Sequence, residues 1–190
     1  MNYATLRFSA TTGDLILYAG TSLLSRLVRV STGSQYSHVG LLLWKEDTLW
    51  FSEMKIGAGY TLSPASTHLK ELTQTGVVRY SPAPAGMDSK VAEKAILKYR
   101  DGGTREKDPN YSLTGAVIVW MAQWIPSFVP SFIKAPFESF TRRRFVCSTY
   151  VQSIWEAAGV SFDKPADPED LARMVETLTM LEFPKELTEK

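Results

Sequence analysis

The 190 residues contain one cysteine and two histidines. Any sulfur nucleophile is therefore Cys147, and any imidazole base is His38 or His68. Cys147 opens a run to Ala158 in which Val151, Ile154, Trp155 and Ala158 recur at helical spacing, with Gly159 as the stop. A thiol in the first turn of a helix feels the positive end of the macrodipole, which lowers its pKa toward the nucleophilic thiolate. Arg142, Arg143 and Arg144 add positive charge just upstream. The plainer alternative is a small buried core residue, the commonest role of free cysteine.

His38 begins an apolar run, Ser37 to Trp44, and Leu49 to Met54 forms a second run beyond a polar turn, Lys45 to Thr48. If these are the two arms of a hairpin, Trp44 pairs with Leu49, Leu42 with Phe51 and Gly40 with Glu53. Side chains alternate along strands, so His38, Gly40 and Leu42 share a face with Phe51 and Glu53. His38 and Glu53 are then diagonal neighbours with Cβ atoms about 7 Å apart. Gly40 leaves space over which the carboxylate can lean toward the imidazole. Such a carboxylate fixes the ring tautomer and favours the imidazolium, the task of the third member of a catalytic triad. A slip of one residue would destroy the pairing.

His68 is the competing base, but Pro64 to Glu71 reads as a polar surface segment with no apolar strand to hold it. His38, His68 and Glu53 have the composition of a two-histidine, one-carboxylate metal site. The histidines stand thirty positions apart, with no short-range ligand spacing, so no metal is expected. Gly57-Ala58-Gly59 lacks the lysine and helix of a phosphate loop and reads as a turn, and no G-x-S-x-G elbow exists. No cofactor is expected.

The elements that must position these residues follow from pattern. Gly13 to Tyr18 reads as a strand and Thr21 to Val30 as a helix capped by Thr21 or Ser22. The hairpin follows, then a short strand at Gly76 to Tyr80 and a Pro/Gly hinge at Ser81 to Gly86. Helices are expected over Asp88 to Arg100, over Cys147 to Ala158, and from the Asp167-Pro168 cap onward, ending in a polar tail. Strands that cluster rather than alternate with helices predict an α+β fold, a small antiparallel sheet or partial barrel packed against helices. The length suits a single domain over residues 1–190, with an apolar helical insertion around 111–140.

Composition narrows the function. Lysine plus arginine total 21 against 20 acidic residues, which gives no overall pull toward nucleic acid. A single cysteine excludes an internal disulfide and a cysteine-rich zinc site. The first residues lack a basic segment followed by a long apolar run, which predicts a cytoplasmic protein. Residues 113–133 are uncharged and mostly apolar but are broken by Pro126 and Pro130. A buried helix, one wall of an acyl or peptide groove, or a peripheral membrane contact each fits them.

GDLILYAGTSLLSRLVRVSTGSQYSHVGLLL, a glutamate on the next strand, and a late FVCSTYVQSIWEAAG together resemble the circularly permuted papain-like cysteine hydrolases. The resemblance is to the YiiX/YebB-type group of the NlpC-type superfamily, and it covers most of the chain from Gly13 to about Asp170. It implies a permuted papain-like fold with Cys147 as nucleophile, His38 as base and acid, and Glu53 as the residue orienting His38. Tyr36 is a further candidate, for the oxyanion or the acyl pocket. Asn110-Tyr111-Ser112 lacks the acid of a Tyr-Asp pair common in that group, and Thr149 stands where many members carry an acid.

The expected activity is hydrolysis or acyl transfer at an amide through a thioester, with peptide or isopeptide substrates that include cell-wall peptides. A lipid ester or N-acyl amide is the second substrate class. The rivals are an inactive papain-like binding module and a membrane-peripheral lipid-acyl hydrolase or interaction protein.

Overall fold

The computed structural model describes residues 1–55, 58–101, 147–163, 166–175 and 178–181. Its frame is a six-stranded antiparallel sheet in the order β4-β3-β2-β1-β5-β6. The strands are β1 (Leu15–Gly20), β2 (His38–Lys45), β3 (Thr48–Lys55), β4 (Gly59–Pro64), β5 (Gly76–Ser81) and β6 (Thr179–Met180). The helices are α1 (Tyr3–Ser9), α2 (Leu23–Thr32), α3 (Ala65–Thr75), α4 (Ser89–Asp101), α5 (Cys147–Ala157) and α6 (Pro168–Met174). This is the expected α+β architecture. Among the described residues the sheet is open, with β4 and β6 at its edges rather than joined into a partial barrel.

The central hairpin has the register set by its apolar pattern: Gly40 faces Glu53, Leu42 faces Phe51 and Trp44 faces Leu49. Its two-residue turn puts Glu46 at φ 51° and Asp47 at φ 57°, the left-handed conformation whose twist matches that of the strands it joins. Alternation along the strands then divides the core. Leu15, Leu17, Val39, Leu41, Leu43 and Met54 face α4, α5 and α6. Ile16, Leu42, Leu49, Phe51, Val78 and Tyr80 face α1 and α3.

Caps and anchors fix the helices. Ser22 accepts from the Ser25 N–H at the start of α2, and Asp88 accepts from Lys90 and Val91 at the start of α4. Asp167 and Asp170 form a reciprocal capping box on α6. The Trp155 indole donates to the Gly13 carbonyl at 2.9 Å, tying α5 to the entrance of β1. Asp14, buried at that entrance, accepts hydrogen bonds from the Thr11 amide and hydroxyl, the Tyr80 hydroxyl and the Ala83 amide.

Four elements depart from the pattern reading: α1, α3, β4 and β6. Pro64 to Glu71 is not a surface loop; it forms the end of β4 and most of α3, with Ala65 and Leu69 fully buried. Gly59, read as part of a turn, begins β4, and the expected polar tail includes β6 paired with β5. The insertion around 111–140, the apolar stretch 113–133, Asn110 to Ser112 and Arg142 to Arg144 lie outside the described residues. Among the described residues no helix is long and apolar enough to cross a membrane.

Candidate active site

Glu53 is the centre of the site. Its position on β3 is fully buried, and each carboxylate oxygen has two neighbours. Oε2 lies 2.9 Å from His38 Nε2 and accepts a 2.9 Å hydrogen bond from the Tyr18 hydroxyl. Oε1 lies 2.9 Å from His68 Nε2 and 2.7 Å from Lys55 Nζ. The ring contacts at His38 and His68 and the lysine contact are close in distance and bent in geometry, while Tyr18 donates in line. Burial works against the Glu53 charge, but His38, His68 and Lys55 outweigh it and hold the carboxyl well below the usual carboxylate range.

His38 is the first residue of β2 and pairs with Tyr18 of β1, whose ring packs on the imidazole at a centroid distance of 4.9 Å. With Nε2 turned to Glu53, the other ring nitrogen is left for the Cys147 thiol, with which His38 is hydrogen-bonded. Strand alternation places His38 on the α1/α3 face, whereas Cys147 belongs to the core of the opposite face. The two meet because each begins its element: the sulfur reaches the start of β2, where the Val39 N–H is also directed to it.

Burial alone would strip both charges. It lowers the His38 pKa, but the Cys147 thiolate and Glu53 more than offset it and push the value up to about 10. It raises that of Cys147, but His38 and the backbone N–H groups of Val39 and Ser148 pull the thiol down overall. The arrangement favours a thiolate–imidazolium pair with a carboxylate behind the ring. Cys147 is 8% exposed.

Of the residues singled out by sequence, Cys147, His38 and Glu53 are brought together. His68, read as a surface residue, lies on α3 with its side chain against Glu53 and its ring stacked on Phe51 at 5.2 Å. Tyr36 is buried, and its hydroxyl has the charges of Arg79 and Glu169 as neighbours; burial comes first in raising its pKa. It lies in the same buried cluster as Cys147, and among the described residues its amide donates to the Ser34 hydroxyl. The space over Gly40 is also used differently from expectation. A Cβ there would lie 2.6 Å from the Phe51 ring, so Phe51, not the Glu53 carboxylate, occupies it.

Tyr18 and Lys55 were not foreseen. Lys55 follows Glu53 by two residues on the same face of β3, a signal that alternation makes readable. Tyr18 reaches the site through the β1–β2 pairing, which no local spacing reveals because α2 lies between the strands.

No family model matches the chain, and no curated protein matches it. Among solved structures, one match is YiiX from Escherichia coli O157:H7, described as a metalloprotein. Its architecture is similar. The two are 16% identical with a TM-score of 0.49, over 78% of this chain and 66% of YiiX, so the chain spans just under two thirds of that protein.

Among the described residues, no three His, Cys, Asp or Glu side chains are set to hold a metal ion. His38, His68 and Glu53 do not fit one: each ring nitrogen meets a different carboxylate oxygen, and the Lys55 ammonium already neutralises Oε1.

Proposed function

We propose that the protein is a cysteine hydrolase or acyltransferase of the permuted papain-like type, with Cys147 as nucleophile, His38 as base and acid, and Glu53 as the orienting carboxylate. What supports this reading is the thiol at the start of α5 set beside an imidazole that is backed by a buried carboxylate. In the proposed reaction the Cys147 thiolate attacks a carbonyl carbon, and its charge passes to the carbonyl oxygen. The backbone N–H groups at the start of α5 suit that oxyanion. Collapse of the tetrahedral species expels the amine or alcohol, which takes the proton from His38, and leaves a thioester on Cys147. Water then gives a proton to His38 and attacks the thioester, releasing the acid and the thiol. An acceptor amine or alcohol in place of water makes the enzyme a transferase.

An amide in a peptide or isopeptide is the first substrate class, and a lipid ester or N-acyl amide the second. The inactive-module reading draws on one observation, the 8% exposure of Cys147. Incubation with p-nitrophenyl butyrate, followed by intact-mass measurement, separates the two. A transient butyryl adduct on the wild type that is absent from Cys147→Ala supports the hydrolase. Wild type that neither forms the adduct nor releases p-nitrophenol faster than Cys147→Ala contradicts it.

A further inference from the structure

We propose that His68 is a positioning residue of this site: its Nε2–H holds Glu53 Oε1, and so keeps Oε2 turned toward His38. The inference rests on the hydrolase reading for its catalytic meaning, but its geometry stands apart from it. A bare ring nitrogen 2.9 Å from a carboxylate oxygen would set two electron-rich atoms against each other even in a bent contact, so we place the proton on Nε2 of His68 as on that of His38. Two imidazoles therefore grip one carboxylate from its two oxygens.

The grip is built into the fold. His68 is carried on α3 and is 12% exposed at its side chain, and its ring stacks on Phe51 at 5.2 Å with an interplanar angle of 21°. Phe51 is fixed in turn by filling the space above Gly40. The other neighbour of Oε1, Lys55, has a side chain 36% exposed, on a flexible stem that can leave for water. The Tyr18 hydroxyl donates to Oε2, the oxygen on the His38 side. Among the described residues, His68 is then the rigid contact that stops the carboxyl group from turning about its terminal bond and drawing Oε2 away from His38.

Because the chain has two histidines and one cysteine, both readouts are free of overlap. Long-range ¹H–¹⁵N correlation spectra of the wild type at pH 7 are expected to show both rings protonated at Nε2. A bare Nε2 on His68, or a ring averaging its two tautomers, would overturn the proposal. In the second arm, iodoacetamide alkylation of Cys147 is followed against pH in His68→Phe, which keeps the stack and removes the donor, and in His68→Gln, which restores a donor. In His68→Phe the midpoint of the alkylation profile is expected to rise by about half a pK unit, which slows the reaction about threefold on the rising limb below the midpoint, with His68→Gln close to wild type. A purely structural role would shift the melting temperature and leave the pH profile unchanged, and that result refutes positioning.

If His68→Phe does not fold, the wild-type spectra decide. Failure of the hydrolase reading shows separately, as the missing butyryl adduct, with the His68 tautomer unaffected.

Discussion

Replacing Glu53 by glutamine tests the idea that this carboxylate organises the site. The change is nearly isosteric, so its cost is chemical. Each oxygen of Glu53 faces two donors: His38 and Tyr18 at Oε2, His68 and Lys55 at Oε1. Whichever way the glutamine amide turns, its NH2 group meets two of them, while its carbonyl serves the other two. Two donors left facing a donor cost about 1–3 kcal/mol each. Removing one partner of a buried ion pair costs about 3–5 kcal/mol, a range that overlaps the first rather than adding to it. Lys55 can escape to solvent and recover part of its share, so the lower end applies, about 3 kcal/mol.

Urea unfolding at pH 7 should show that loss as a lower midpoint with an unchanged slope. The deficit must also depend on pH with a definite sign. The native carboxyl is held below its unfolded value of about 4.3, so its stabilisation is complete above that value and is lost as pH falls toward the native one. The gap between wild type and Glu53→Gln should therefore be greatest between about pH 5 and 6, shrink below about pH 4, and shrink again above about pH 6.5, where the unfolded chain gives up the His38 proton that Glu53 helps the folded protein keep. A loss under about 1 kcal/mol at pH 7, no larger than that of an exposed ion pair, would refute the reasoning.

Gly40→Ala puts a methyl group 2.6 Å from the Phe51 ring and 2.7 Å from the Ser52 carbonyl oxygen, and should cost about 1–3 kcal/mol in urea unfolding. The same variant should slow Cys147 alkylation at pH 6, since Phe51 carries the stack on His68. Asp14→Ala leaves the buried Tyr80 hydroxyl and the Thr11 and Ala83 amides without their acceptor, and a loss of at least about 3 kcal/mol is expected by the same measurement. Tyr150→Phe breaks the buried hydroxyl contact with Ser52 and should cost about 1–3 kcal/mol while leaving the pH dependence of alkylation unchanged.

What the sequence made legible was local. The β2–β3 register follows from two apolar runs about a four-residue turn, and it brought His38 and Glu53 together. The start of α5 at Cys147 follows from helical spacing and a terminal glycine. α3 escaped because its polar residues hid the pattern, although Ala65, Leu69 and Leu72 recur at helical spacing between Pro64 and Gly76. With α3 unread, His68 had no element to bury it. Tyr36, a candidate through the resemblance, lies buried in the same cluster as Cys147, with the charges of Arg79 and Glu169 acting on its hydroxyl. The meeting of Cys147 with His38 depends on two core layers joining at the start of β2, a tertiary fact that no periodicity encodes.

The central claim is that the lone thiol is ionised by its imidazole partner, and the pH profile of iodoacetamide alkylation of the wild-type protein reads this directly. The rate should rise to a plateau well below the ordinary thiol value of about 8.5. It should change again only near pH 10, where His38 gives up its proton. In His38→Ala the plateau should be lost and the midpoint should move up to or beyond the ordinary value. A folded wild-type protein that is alkylated only above about pH 8.5, or whose profile His38→Ala leaves in place, would contradict the claim.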